Sequence, residues 1–126
     1  MINKIGQVMI YVNDQEAVAK FWTEKVGFVI ISENEAGDAQ RWIEIAPTKD
    51  AATTFVLQDK EAVAKAQPEM NLGTPSILLY GDNLEAMYAD FQAKGITVGE
   101  LVDIPNFGRV FNFADIENNY FAILEK

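Results

Sequence analysis

A primary amide stands inside an apolar run at residues 5–14, IGQVMIYVND, where Gln7, Met9 and Tyr11 alternate with aliphatic residues. A carboxylate, Glu44, and an indole, Trp42, alternate with isoleucines in RWIEIAP (41–47), and TPSILLYGD (74–82) carries a hydroxyl, Ser76, and a phenol, Tyr80. An amide on such a strand serves as a hydrogen-bond peg, a substrate contact, a metal ligand or an exposed edge. Glu44 offers a base, a ligand, or an ion-pair partner for Arg41 or Arg109. The ion pair is the preferred reading, because a lone carboxylate seldom makes a complete mechanism. Ser76 has no histidine or lysine to activate it and is rejected as a nucleophile. Tyr11 and Tyr80 read as pocket walls rather than acids. Trp42 reads as core, dimer filler or ligand contact, and Arg109, after Phe107-Gly108, as an anion contact or a loop tether.

The missing residue types narrow the chemistry further. The 126 residues include no histidine and no cysteine. That removes imidazole base catalysis, thiolate chemistry, zinc–sulfur sites and disulfides. A metal would have to be a hard ion on carboxylate, amide or water oxygens. The net charge is −9, from 19 acidic and 10 basic side chains. It argues against a nucleic-acid partner, favours solubility and suits a cationic ligand. No apolar run of membrane-spanning length and no signal-peptide pattern is seen, so a cytoplasmic location without membrane association is expected.

These residues need elements to position them. Residues 5–12 read as a strand, and Asn13 or Asp14 caps a helix over QEAVAKFWTEKVG (15–27), with Val18, Phe21 and Trp22 on one face and Gly27 as its stop. Strands follow at 28–35, 41–47 and 53–59. Residues 60–73 form a connector with one or two helical turns at 61–65, broken at Gln67-Pro68. The pattern then restarts with a strand at 74–82, and Asn83 caps a helix in which Leu84, Met87, Tyr88 and Phe91 fall at helical spacing. Gly95 stops that helix. Strands at 96–103, 109–115 and 120–126 complete a second β-α-β-β-β series. A shift of 69 sets Gln7 on Ser76, Tyr11 on Tyr80 and Glu16-Ala17 on Glu85-Ala86, so the order is a tandem repeat. The expected class is α+β, one domain made of a module over about 1–59, the connector 60–73 and a module over 74–126. Two curved mixed sheets would enclose an open cleft. Alternation sends Gln7, Met9 and Tyr11 to the concave face and Val8, Ile10 and Val12 to the helix. It likewise separates Trp42 and Glu44 from Ile43 and Ile45. Phe111, Phe113 and Phe121 read as core.

The chain resembles the vicinal oxygen chelate superfamily, which contains glyoxalase I, extradiol dioxygenases, fosfomycin-resistance proteins and bleomycin-binding proteins. The resemblance rests on IGQVMIYVNDQEAVAKFWTEKVGF, on RWIEIAP with TTFVLQD, and on GRVFNFADIENNYFAILE, whose end is similar to the family's D-P-D-G-N-x-x-E-L. Ile116 and Asn118 replace the proline and glycine of that pattern, and asparagine still permits a left-handed turn. The resemblance implies a divalent metal held by four strand positions. Here those positions read Gln7, Val56 (with Gln58 next on its face), Ser76 and Ala122. No charged ligand remains among them, so loss of the metal site is expected and no cofactor is predicted. A weak divalent site through Gln7 and Glu44, with Ser76, is the alternative.

The resulting expectation is a glyoxalase-like, bleomycin-resistance-like protein that binds or sequesters a small organic molecule in an apolar, aromatic cleft lined by Gln7, Tyr11, Trp42, Glu44, Ser76, Tyr80 and Asn112. The competing class is a metal-dependent lyase or isomerase of the glyoxalase I type. The absence of histidine disfavours a dioxygenase. The resemblance also implies a homodimer.

Overall fold

The computed structural model describes residues 1–37 and 40–126. The chain divides into two compact units, Met1–Thr74 and Pro75–Lys126. The first contains β1 (Gln7–Val12), α1 (Gln15–Lys20) with a π-helical continuation (Phe21–Val26), β2 (Val29–Glu33), β3 (Trp42–Ala46), β4 (Thr54–Asp59) and α2 (Lys60–Ala66). The second contains β5 (Leu78–Gly81), α3 (Leu84–Ala93), β6 (Val102–Ile104), β7 (Gly108–Ala114) and β8 (Tyr120–Glu125). Each unit has one four-stranded mixed sheet, ordered β1-β4-β3-β2 and β5-β8-β7-β6. In both, the first strand pairs in parallel with the last and the remaining pairings are antiparallel. The class is therefore α+β with two βαβββ series, as the repeat implies. Among the described residues no helix is long and apolar enough to cross a membrane.

In the first unit, alternation directs Ile10 and Val12 of β1, Ile43 and Ile45 of β3 and Leu57 of β4 against the helix, where all are buried. Burying each such side chain contributes roughly 1.5–3 kcal/mol. Trp22 anchors this core, lying edge-on to Phe55 at 5.5 Å and tilted against Phe28 at 4.7 Å. Asp14 starts the helix by accepting the Ala17 amide at 3.0 Å, and Gly27 ends it at φ 98°, both as expected. The helix is not uniformly α. The Thr23 hydroxyl donates to the Ala19 carbonyl at 2.9 Å, and the Gly27 amide reaches back five residues to Trp22 at 2.9 Å. Such back-bonding loosens the regular ladder, and the second half, Phe21–Val26, is π-helical.

The second unit departs from expectation at three points. The strand expected over 74–82 shortens to β5, Leu78–Gly81. Asn83 precedes α3 in a left-handed conformation (φ 50°) with no side-chain cap; the Leu84 amide donates instead to the Glu125 carboxylate at 2.9 Å. The cap comes from 41 residues away, beyond the reach of local pattern. The strand expected over 96–103 shrinks to a Val98–Phe113 bridge and the short β6. Gly99 weakens a strand interior, and the segment is tied by single bonds instead, Gly99 to Asn112 at 2.7 Å and Ala114 to Thr97 at 2.9 Å. The phenylalanines behave as predicted: Phe111, Phe113 and Phe121 are buried, with Phe91 edge-on to Phe111 and Phe113.

The turn before β8 follows the sequence closely. The buried Asp115 accepts the Glu117 and Asn119 amides at 2.8 and 2.9 Å and the Asn119 side-chain amide at 2.9 Å, while Asn118 takes φ 63°. Replacing Asp115 with alanine leaves these donors without their acceptor and is expected to cost about 1–3 kcal/mol. Asn118→Val should cost about 1–2 kcal/mol because a β-branched residue resists the left-handed region. Asn118→Gly should stay within about 0.5 kcal/mol of the parent. Urea unfolding checks all three, and equal midpoints for Asn118→Val and Asn118→Gly would refute the turn analysis.

Candidate functional site

The site lies wholly within the first unit. On the sheet face turned away from α1, strand register sets Met9, Val56, Glu44 and Ser32 in one row across β1, β4, β3 and β2. Tyr11, Gln58 and Trp42 form the row on one side, and Gln7 and Thr54 pair on the other. α2 supplies Ala62, Val63 and Ala66 to the same cavity, which measures about 730 Å³ and has Gln40 and Arg41 among its lining. Asp59 sets α2 in place by accepting the Glu61 and Ala62 amides at 3.0 and 3.3 Å. The helix presents small side chains to the cavity and so leaves it open.

Glu44 is the chemical centre of this floor. Its Oε2 accepts the Thr54 hydroxyl at 2.6 Å and the Gln7 amide at 3.2 Å; its Oε1 accepts the Ser32 hydroxyl at 2.9 Å. The Ser32 oxygen in turn accepts Trp42 Nε1 at 3.3 Å, which fixes the indole beside the carboxylate. The Thr54 bond, against the cost of burial, and then those from Ser32 and Gln7 hold the Glu44 carboxyl below its ordinary range. Donors that favour the charged form make it an ionised acceptor rather than a strong base.

The expected ion pair of Glu44 with Arg41 or Arg109 is not formed. Arg41 has the parity of Ile43 and Ile45, so its guanidinium reaches the other way, to Glu16 of α1 and to Glu33 at 3.0 Å. Glu16 first, against burial, and then Glu33 hold Arg41 firmly protonated. Arg109 pairs with Asp103 at 3.1 Å and Glu85 at 3.6 Å, which makes it a tether between β6, β7 and α3.

Of the residues predicted to line a cleft, Gln7, Trp42 and Glu44 come together in this cavity, with Val56 buried in its floor. Tyr11 lies on the same sheet face, and its hydroxyl contacts the Met70 sulfur at 3.4 Å. Ser76, Tyr80 and Asn112 belong to the second unit. Ser76 precedes β5, and Tyr80 and Asn112 are exposed on the sheet face opposite the buried phenylalanines. Sequence reasoning misses Ser32, Thr54 and Gln15. Thr54 shares the parity of Val56 and is readable from it. Ser32 is not, because the β2–β3 register shifts between Ile30 and Ser32. Gln15 donates to the Arg41 and Leu57 carbonyls at 2.8 and 3.0 Å, tying α1 to β3 and β4. Among the described residues no group of three or more His, Cys, Asp or Glu is placed to hold a metal ion.

Comparison with known proteins gives a consistent set. The family described as the Glyoxalase/Bleomycin resistance protein/Dioxygenase superfamily matches residues 4–123. The uncharacterised protein YetH of Bacillus subtilis strain 168 is 34% identical, over 99% of this chain and 100% of that one. TnmS3, an antibiotic binding protein from Streptomyces sp. CB03234, superposes with a TM-score of 0.82 at 30% identity, covering 98% of this chain and 96% of its own. A lactoylglutathione lyase from Agrobacterium tumefaciens shares the fold, with a TM-score of 0.77 at 17% identity over 98% of this chain and 94% of its own.

The carboxylate network has a titration signature. Glu44 titrates below its ordinary value of 4.5 in the folded chain, so its contribution is fully present above that value and is lost as pH falls through the folded pKa. Glu44→Gln has no such group. The stability difference between parent and Glu44→Gln should therefore hold steady near neutrality and close as pH falls below 4.5. Thermal or urea midpoints of both proteins from about pH 6 to pH 3 check this. A gap that does not change over that range would show that Glu44 is not held by these donors.

Proposed function

The chain belongs to the glyoxalase/bleomycin resistance protein/dioxygenase superfamily, and on that premise we propose that it binds a small organic molecule in the first unit's cavity and releases it unchanged. The observation that carries this reading is the cavity itself: about 730 Å³, floored by Met9, Val56 and Trp42, with one ionised carboxylate held by three donors. Volume and lining suit a drug-sized ligand oriented by a few polar contacts. The antibiotic-binding function in the name of TnmS3 supports sequestration as the biological role.

Catalysis is the weaker reading on chemical grounds. Glu44 is made less basic by its donors, and the Ser32 hydroxyl that donates to it has no stronger base within its bonds. The family's metal positions do not fit a divalent ion here. Gln7 offers one neutral oxygen, its amide nitrogen being given to Glu44, Ser76 offers one hydroxyl, and Val56 and Ala122 offer none. Glu44, even with Asp59 in the same lining, falls short of the several anionic oxygens a hard ion requires. We therefore propose metal-independent binding, in the cytoplasm. A homodimer belongs to the same reading, supported by Leu78, Tyr80, Val102, Ile104 and Tyr120, large apolar side chains exposed on the second unit's sheet.

Titrating the protein with a panel of antibiotics and hydrophobic acids, followed by thermal shift and tryptophan emission, tests binding. Bound compound is expected back intact after prolonged incubation, and a chelator should leave affinity unchanged. Trp42→Ala should weaken binding roughly ten-fold, about 1.4 kcal/mol. Conversion of the ligand, or stoichiometric divalent metal at micromolar or tighter affinity, would overturn the reading. Sedimentation should give twice the 14.1 kDa chain mass; a monomer at tens of micromolar would remove the dimer.

A further inference from the structure

We propose that the ligand of this cavity is a flat aromatic cation, its protonated nitrogen seated on Glu44 Oε1 and its ring against Trp42. The inference rests on the binding reading above and adds the ligand's charge and shape.

The first argument is a missing counter-charge. The three groups that hold Glu44 are an amide and two hydroxyls, all neutral. They satisfy its lone pairs in part and none of its charge. A carboxylate accepts in about four directions; among the described residues three are used, and Oε1 accepts from Ser32 alone. An acceptor direction therefore remains on a charge that, among the described residues, forms no ion pair. The arginine that lines the cavity does not supply a partner, since Arg41 is bonded to both Glu16 and Glu33. Asp59, also in the lining, adds charge of the same sign. An anion brought to Glu44 is repelled; a cation meets an acceptor already oriented and ionised.

The second argument is the shape of the surroundings. Trp42 is 39% exposed, yet its Nε1 is bonded to Ser32, so a flat apolar surface is held in place beside the carboxylate at little further entropic cost. Met9 and Val56 continue the floor, and α2 turns only small side chains, Ala62, Val63 and Ala66, toward the cavity. A space between a sheet and a smooth helix face admits a ring more readily than a branched chain. A cation conjugated to a ring meets both features together.

The test is one skeleton in three charge states. 4-Phenylbenzamidine, biphenyl-4-carboxamide and biphenyl-4-carboxylate are cation, neutral isostere and anion near neutral pH. Each is titrated into the whole protein by calorimetry at low and high salt. The amidine should bind at least about ten-fold tighter than the carboxamide, with the carboxylate weakest, and added salt should narrow the gap. Glu44→Gln should remove the preference. Glu24→Gln, which deletes the same charge from the exposed helical turn on the far side of the sheet, should retain it. Equal affinity of the parent for amidine and carboxamide overturns the inference while leaving small-molecule binding intact. An equal loss in Glu24→Gln and Glu44→Gln also overturns it, because overall charge would then be responsible. If no member of the series binds, the aryl-cation class is wrong, and the antibiotic panel decides the binding reading separately. The parent's own charge series and salt dependence decide the matter even if Glu44→Gln proves unstable.

Discussion

The parallel pairing of β1 with β4 is the constraint from which the site follows. It sets Met9 beside Val56 and Gln7 beside Thr54. β3 then pairs antiparallel with β4 and brings Glu44 level with Val56. With those two registers fixed, an amide and a hydroxyl stand next to a carboxylate across three strands, though they come from residues 7, 54 and 44. A one-residue slip in either pairing would turn one set of side chains into the helix-covered core and dissolve the network. The apolar face opposes that slip: Ile10, Val12, Ile43, Ile45 and Leu57 are buried together against the helix, and a one-residue shift would expose one strand's share of them. The polar network thus depends on hydrophobic packing on the opposite side of the same strands.

The repeat organises charge as well as strands. In the first unit Arg41 is bonded to Glu16, the second residue of α1, and to Glu33 on the outer strand β2. In the second, Arg109 is bonded to Glu85, the second residue of α3, and to Asp103 on the outer strand β6. Each arginine fastens the start of its helix to the sheet edge beneath it. The first is buried and the second about one-third exposed, so the two are unequal in strength. An arginine with two carboxylates gains geometry as well as charge, whereas an exposed pair adds little.

Much of the fold is legible in the sequence because its signals are local. Alternation in residues 5–12 and 41–47, the Asp14 cap, the Gly27 and Gly95 stops and the left-handed Asn118 each depend on a few neighbouring residues. What the sequence hides comes from afar or from irregularity. Glu125 caps α3 across 41 residues. The Thr23 hydroxyl and the Gly27 reach-back turn half of the first helix into a π-helix. The bulge in β2 gives Ser32 a parity that counting does not assign. The same distinction explains the site. Counting alone sets Trp42 and Glu44 on one face of β3. It does not find the partners of Glu44, because formal charge suggests an arginine where parity excludes Arg41. Neutral donors carry no signal in a charge count, and three of them hold this carboxylate.

The two units show what a common scaffold leaves free. Met9, Val56 and Glu44 form one row in the first sheet; Leu78, Ala122 and Asn112 form the matching row in the second. Where the first has a carboxylate, the second has a neutral amide. β4 also runs directly into α2, which shares the cavity with the strands, and among the described residues the second unit has no counterpart of α2. Met9 is accordingly half-buried on the first sheet, whereas its counterpart Leu78 is 43% exposed on the second. Strand order and pairing are the same in both, so they cannot be the source of the difference. The difference lies in the side chains of that row, with Glu44 where the second unit has Asn112, and in one helix beside the sheet, and together these convert a sheet face into a charged cavity.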